Sequence, residues 1–318
     1  MTTKGQWASA CLGAMAAALA VATPAMASEA GGGVYPNGAE GMLAGALPPK
    51  GLYYLGYLQY YEAGRFNDGD GNSGLLPDFK VKAEAVVTRV VWVTDKKFLG
   101  ADYAMHVVVP VVNVDARIAG MSGNRSGVSD VTIDPIILGW HFRNGWHVIT
   151  GLDINLPVGS YDRASIANFS RHYWNVEPIV AFAYYKKNLR LDVKMMYDIN
   201  FKNTDAQING FNPTGAGYRS GNEFHADYAA SYAISPKVQL GFSGYYYKQT
   251  TGDHVDNAAA QLGIDAMHGF KGEAFAGGPS VRLGLGKVHL LTTWQHEFFA
   301  NYRPQGDKFW IKAIIPIK

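Results

Sequence analysis

From residue 51 to the end, the chain divides into about twelve strand-like runs whose connections alternate strictly between short and long. The runs fall near 52–62, 82–94, 98–118, 130–142, 146–157, 173–186, 189–202, 222–234, 238–250, 273–285, 288–300 and 307–317. Most exceed the ~5–6 residues usual for soluble strands and reach the ~9–11 that a tilted membrane-crossing strand requires. Short turns occur at 95–97, 143–145, 187–188, 235–237 and 286–287. Between them lie longer connections at about 63–80, 119–129, 158–172, 203–221 and 251–272, with a modest one near 301–306. A sandwich has no reason to sort its loop lengths by end, whereas an outer-membrane barrel pairs tight periplasmic turns with longer extracellular loops. The expected fold is therefore all-β, a single antiparallel transmembrane β-barrel of the outer membrane over residues 51–318, with about 12 strands.

The pattern within the runs agrees. In 189–202, Leu189, Leu191, Val193, Met195, Tyr197, Ile199 and Phe201 share one face, and Arg190, Asp192, Lys194, Asp198, Asn200 and Lys202 the other, with Met196 the exception. Composition follows from this two-faced wall. Only 17% of residues are charged, 37 are Gly, and Tyr, Phe and Trp number 19, 15 and 7. Mean hydropathy is −0.07, too polar for a helical membrane protein and natural for strands that alternate lipid-facing and lumen-facing side chains. Aromatics gather at strand ends (Tyr53, Tyr54, Trp140, Trp146, Tyr173, Trp174, Tyr184, Tyr185, Trp294, Phe298, Phe299), as interfacial girdles would require. The net charge of +2 leaves no electrostatic footprint for nucleic acid.

The first 27 residues read as a signal peptide: Lys4 supplies the positive region, Ala8–Ala22 the apolar run, and Ala25-Met26-Ala27 the cleavage site. The only cysteine, Cys11, lies inside that segment, so the exported chain has no thiol chemistry and no disulfides. Residues 28–50 are rich in Gly, Ala and Pro without a period, and are expected to be a periplasmic or lumen-tucked segment that plugs the barrel. The final run carries Phe309, Ile311, Ala313, Ile315 and Ile317 on one face, like a terminal strand read by the barrel assembly machinery, although the chain ends in Lys318 rather than an aromatic residue.

Two stretches carry a family resemblance. One is ALPPKGLYYLGYLQYYEAGRFNDGDGN at 46–72; the other runs from GVSDVTIDPIILGWHFRNGWHVITGLDINLPVGSYD at 127–162 to RHYWNVEPIVAFAYY at 171–185. Their recurring pieces are Gly127, Asp130 and Pro135, then Leu156, Pro157, Gly159, Tyr161 and Asp162, then Tyr173, Trp174, Glu177 and Pro178. Together they resemble the phenol meta-pathway degradation-type outer-membrane proteins. The resemblance implies a barrel that moves hydrophobic or aromatic compounds, and it implies no catalytic residue.

The polar phase of the strands supplies lumen candidates: Asp153, Asn155, Asn175, Glu177, Arg190, Asp192, Lys194, Asp198, Glu223, His225, Asp227, Arg282, Gln295, Glu297 and Lys312. Tyr245, Tyr247, Met196 and Trp310 are expected to add apolar wall. Both charge signs are present, so these residues either line a narrow path or pair across it. His225 shares a strand face with Glu223 and Asp227, but neighbouring lumen charges arise there by default, and no metal or cofactor is expected. Asp68-Gly69-Asp70-Gly71-Asn72 begins like a calcium loop. It has Ser73 where Gly is needed and Phe79 where Glu is needed, and so reads as an extracellular turn. No G-x-S-x-G elbow occurs, and Ser231 lies six residues from His225, roughly 20 Å at strand rise, so no enzyme is expected.

The sequence thus points to an outer-membrane channel or transporter for small hydrophobic, including aromatic, compounds in a Gram-negative bacterium. Its expected partners are outer-membrane lipid, lipopolysaccharide, the assembly machinery and a small hydrophobic ligand. The competing reading is a closed structural or adhesive barrel acting through its extracellular loops.

Overall fold

The computed structural model describes residues 31–317; the signal peptide and its cleavage site lie outside them. The strands are β1 (Gly51–Phe66), β2 (Lys80–Phe98), β3 (Ala101–Ile118), β4 (Met121–Val128), β5 (Val131–His141), β6 (Trp146–Leu156), β7 (Asn175–Lys186) and β8 (Leu189–Asn200). A two-residue β9 (Tyr218–Arg219) precedes β10 (Glu223–Ala233) and β11 (Val238–Gln249). A two-residue β12 (His254–Val255) leads into helix α1 (Ala258–Ala266), followed by β13 (Glu273–Leu285), β14 (Val288–Asn301) and β15 (Pro304–Pro316).

Each wall strand pairs antiparallel with its sequence neighbour, and β1 closes the ring on β15 with Tyr53 opposite Pro316 and Phe66 opposite Pro304. Closure is obligatory in lipid, because an open edge would leave backbone N–H and C=O groups unpaired in hydrocarbon. Strand β4 pairs with Val111–Ile118 of β3, and β5 pairs with Asp102–Val108 of the same strand. The two are one bent wall strand broken at Ser129 and Asp130. The wall therefore counts twelve strands, with the short β9–β12 pair standing outside it.

The alternation seen in sequence becomes an inside and an outside. Along β8, Asp192, Lys194, Met196 and Asp198 are buried, while Leu189, Leu191 and Ile199 are exposed toward lipid. Met196 thus belongs to the inward phase. Of the strand-end aromatics, Trp146, Trp174, Trp294, Phe298 and Phe299 point outward and exposed, but Tyr53 and Tyr173 are buried.

Two connections differ from the sequence reading. The expected long loop at 119–129 is instead a tight turn, with Ala119 and Gly120 at positive φ, followed by strand β4. Its Gly- and Ser-rich composition suits a loop, yet the small residues serve packing: a side chain at Gly123 would crowd Ile166 and Ala167, and one at Gly127 would crowd Phe169. Tertiary context overrides strand propensity here. The first short turn sits at Leu99 and Gly100 rather than at 95–97, because β2 stays paired through Lys97 and Phe98.

The extracellular loops are ordered into a lid. Phe66, Leu76, Phe79, Tyr218, Val255, Ile264, Phe270 and Tyr302 form one apolar cluster across the barrel mouth. Helix α1 is held in it by Ile264 and started by Asn257, whose side chain accepts the Ala260 N–H at 3.0 Å.

Gly306 stands where β1 shifts register between Ala63 and Arg65, and a Cβ there would lie 1.9 Å from the Glu62 carbonyl oxygen. Gly306→Val is expected to cost about 1–3 kcal/mol through forced displacement of the closing strand pair. A lowered thermal midpoint of the purified barrel is the check, and an unchanged midpoint would contradict this packing.

Candidate functional site: a plugged lumen with an apolar cavity

Residues 31–50 run through the barrel interior. The segment starts near Phe66, Arg303 and Pro304 at the lid end, where Gly31 abuts Pro304. It descends past Asp227 and Asp192 and leaves at the periplasmic end, where Pro49 accepts the Tyr53 hydroxyl at 2.7 Å. The wall's polar residues hold it. Asp227, fully buried, accepts the Tyr35 hydroxyl (2.7 Å), the Gly38 N–H (2.8 Å) and the Glu40 N–H (3.0 Å). Gln295 donates to the Gly38 carbonyl at 3.2 Å, and Gly38 has φ 87° in a space where a Cβ would collide with Gln295. Lower down, Asp192 accepts the Gly45 N–H (3.2 Å) and the Tyr185 hydroxyl (2.8 Å).

Glu40 is the electrostatic centre of the plug. Its carboxylate meets Arg89, lies 3.0 Å from Lys312 and reaches Lys194 at 4.0 Å. Three wall cations from β2, β8 and β15 thus share one anion supplied by the segment. Arg89 also donates to Nδ1 of His106 at 2.9 Å, and His106 Nε2 faces Asp153 at 2.9 Å.

The remaining candidates sort by depth. His225 does not join Glu223 and Asp227, as its strand position suggested. It reaches sideways to Asp198 (2.9 Å) and Glu177 (3.4 Å) on β8 and β7, with its ring 4.8 Å from that of Tyr35. Asn155 and Asn175 form part of an amide ladder: Asn155 donates to Asn175 and Asn175 to Asn200, each at 2.7 Å, and Asn200 to the Gly221 carbonyl at 2.8 Å. Glu223 is buried on β10. Glu297 accepts the hydroxyls of Tyr61 (3.0 Å) and Tyr245 and the Gly306 N–H (2.7 Å). Tyr245 and Tyr247 are fully buried, Tyr247 beneath the Arg303 guanidinium at 3.8 Å, so neither forms open wall. Arg190 stacks on Tyr185 and Arg282 bonds Gln239 and His289 near the periplasmic mouth. Trp310 packs edge-on to Tyr57.

Two of these groupings, His106–Asp134–Asp153 and Glu177–Asp198–His225, bring metal-ligating atom types within 4.8 Å of one another. The same closeness serves the ion pairs they form. The loop at 68–72 closes on itself: Asp68 accepts the N–H groups of Asp70 (2.9 Å) and Asn72 (2.8 Å). The Asn72 N–H is the main cause of the Asp68 carboxyl lying below its usual range.

Beside the plug the lumen is not filled. A cavity of about 290 Å³ lies between residues 31–37 and strands β2 and β3. Val81, Ala83, Ala85 and Val87 of β2 and Val108, Val112 and Val114 of β3 form its apolar wall. Arg171, Arg303, Lys308, Asp130 and Glu297 stand on its polar side. A smaller chamber of about 70 Å³ shares Val87, Val108 and Tyr35 with it and is floored by Arg89, His106 and Asp153. The polar phase of the strands carries no sign of this wall. A usable signal exists in the phase: Val81, Ala83, Ala85 and Val87 alternate with Lys82, Glu84 and Thr88, and Val112 and Val114 with Asn113 and Asp115, so here the apolar phase is the one that faces the lumen. Arg89 and His106 are the isolated polar inward residues in those runs.

A twelve-stranded outer-membrane β-barrel with its own N-terminal segment threaded through the lumen is the class that this fold and site define. The chain belongs to the family described as "Putative MetA-pathway of phenol degradation", whose profile matches residues 63–313. Its architecture is similar to that of an outer membrane channel from Pseudomonas putida F1, with TM-score 0.73 and 15% identity over 85% of this chain and 97% of that one. A FadL homologue of Pseudomonas aeruginosa aligns at TM-score 0.43 and 8% identity over 93% of this chain and 98% of that one. No curated protein matches the sequence at a significant level.

Glu40→Gln would leave Arg89, Lys194 and Lys312 facing a neutral amide. The expected loss is about 3–5 kcal/mol of anchorage, the cost of stranding buried charges. Limited proteolysis within residues 31–50 should become fast in the variant, and equal protection in both proteins would contradict the anchoring role.

Proposed function

We propose that this barrel is a gated uptake channel for small hydrophobic, including aromatic, compounds across the outer membrane. The observation that carries this reading is the apolar cavity against β2 and β3, open beside a plug that is otherwise held to the wall by polar contacts. Ligand cavities typically join apolar surface to a few placed polar groups, and their volumes start near 300 Å³. A structural barrel has no need to turn valines from two adjacent strands inward and leave the space between them and the plug open. Membrane lipid on the outward face and the assembly machinery at β15 remain the expected partners.

Passage requires two movements. The lid of Phe66, Phe79, Phe270 and Tyr302 must part, and the segment 31–50 must shift. Both barriers favour a closed resting state, and closure is also what a structural or adhesive barrel would show. Uptake separates the two. Cells carrying the gene should take up labelled monoaromatics, alkanes or fatty acids faster than cells lacking it, at concentrations limiting for diffusion. Val112→Glu, which places an unpaired carboxylate in the apolar wall, should abolish that gain, since such burial costs several kcal/mol. Identical uptake with and without the protein, with the barrel present at the surface, would favour the structural reading. Deleting residues 28–50 should raise single-channel conductance in planar bilayers, and unchanged conductance would count against the plug.

A further inference from the structure

Resting on that uptake reading, the charge around the cavity narrows the substrate class. We propose that the cavity takes its ligand as a hydrophobic carboxylate, anchored by the guanidinium of Arg303.

The argument is one of compensation. Two carboxylates line the cavity, and both are already occupied. Asp130 accepts the Gly159 N–H (3.0 Å), the Ser170 hydroxyl (2.8 Å) and the Arg171 N–H (2.6 Å). Glu297 accepts Tyr61, Tyr245 and Gly306, as described above. Among the cations, Lys308 is committed to the Asn37 carbonyl (3.3 Å), the Tyr245 hydroxyl (3.1 Å) and, at 3.9 Å, Glu297. Arg171 donates through Nε to the Gly33 carbonyl at 3.2 Å.

Arg303 differs. It is 8% exposed, its plane is fixed 3.8 Å above the Tyr247 ring, and among the described residues no carboxylate reaches ion-pair distance of it, Glu223 and Glu297 acting on its charge only from further away. Its Nη1 is buried without any acceptor. A buried guanidinium N–H without a partner is costly, and Arg303 is one of the residues that line the cavity. Carboxylate is the group that suits it, because the guanidinium fork offers two parallel N–H bonds matched to two oxygens. A carboxylic acid is ionised at neutral pH and can pair directly with the guanidinium, whereas an alcohol or phenol brings no charge to it. The opposite wall of valine and alanine has nothing for a compact inorganic anion, so the ligand needs an apolar body. Aromatic and aliphatic acids share this chemistry.

Binding to the purified full-length barrel in detergent tests the assignment, read by the fluorescence of Trp310 and its fellow tryptophans. The probes are matched pairs: naphthoate against naphthylmethanol, and octanoate against octanol. The wild type should bind the acid of at least one pair about tenfold tighter than its alcohol, the scale of one charge-assisted contact. The pair that shows the preference tells whether the body is aromatic or aliphatic. Arg303→Gln should bring the acid-to-alcohol ratio close to one, and Arg303→Lys should restore part of it. Equal binding of acid and alcohol by the wild type would overturn the carboxylate proposal and leave the uptake reading standing. An acid preference that survives in Arg303→Gln would overturn the role of Arg303. If no probe binds, the carboxylate proposal is overturned, and the uptake reading stands or falls by the cellular assay. Should Arg303→Gln not fold, the matched pairs on the wild type and on Arg303→Lys still decide.

Discussion

Glu40 meeting Arg89, Lys194 and Lys312 is the contact on which the interior depends. A ring of twelve strands encloses more space than its own side chains fill, while an eight-stranded barrel closes on itself and a porin of 16–18 strands holds water. At this intermediate size the inward charges are neither solvated as in a porin nor packed away. They need partners, and the wall alone cannot supply them in balance near β2, β8 and β15. The N-terminal segment carries the missing anion to that level. Its backbone then satisfies wall acceptors of the opposite sign at Asp227 and Asp192. Wall and plug are therefore complementary in charge, and each leaves buried polar groups exposed without the other.

That complementarity explains why the segment is short of secondary structure yet ordered. Its turns place N–H and C=O groups at irregular intervals, which an extended strand or helix would consume internally. Gly38 is the position where the requirement is tightest, since it takes a left-handed φ while passing close to Gln295. The Gly-rich composition of the segment, uninformative as a secondary-structure signal, is thus the composition that a lumen ligand made of backbone needs.

The wall was legible in the sequence because period-2 alternation and loop-length sorting are consequences of the bilayer itself. The inward phase at β8, β10 and β14 could be read residue by residue for the same reason. What could not be read were contacts that cross the ring. His225 looked grouped with Glu223 and Asp227 because strand spacing is visible, but register with β7 and β8 decides that it meets Glu177 and Asp198. Lys308 and Arg303 carry no sequence signal of their roles, because their partners lie in the plug and on β11. Strand β4 reads as a loop in sequence because small residues that serve packing resemble those that serve flexibility.

The cavity owes its place to the one part of the wall that departs from alternation. Strands β2 and β3 give up inward polar groups over Val81–Val87 and Val108–Val114, so this arc of the ring has nothing with which to hold the plug. At this level the plug is held from elsewhere on the ring, by Asp227 of β10 and Gln295 of β14, and lower down by Lys312 of β15, Arg89 of β2 and Asp192 of β8. Asymmetric polarity around the ring therefore places the plug off-centre and leaves the space beside the valines. Arg89 and His106 interrupt that inward apolar face at the level of the Glu40 cluster, and it resumes below them at Val91, Val93 and Ala104. An apolar ligand moving down from the cavity would meet the charges that fix the plug. The lower barrier to passage and the anchor of the plug are consequently the same set of side chains.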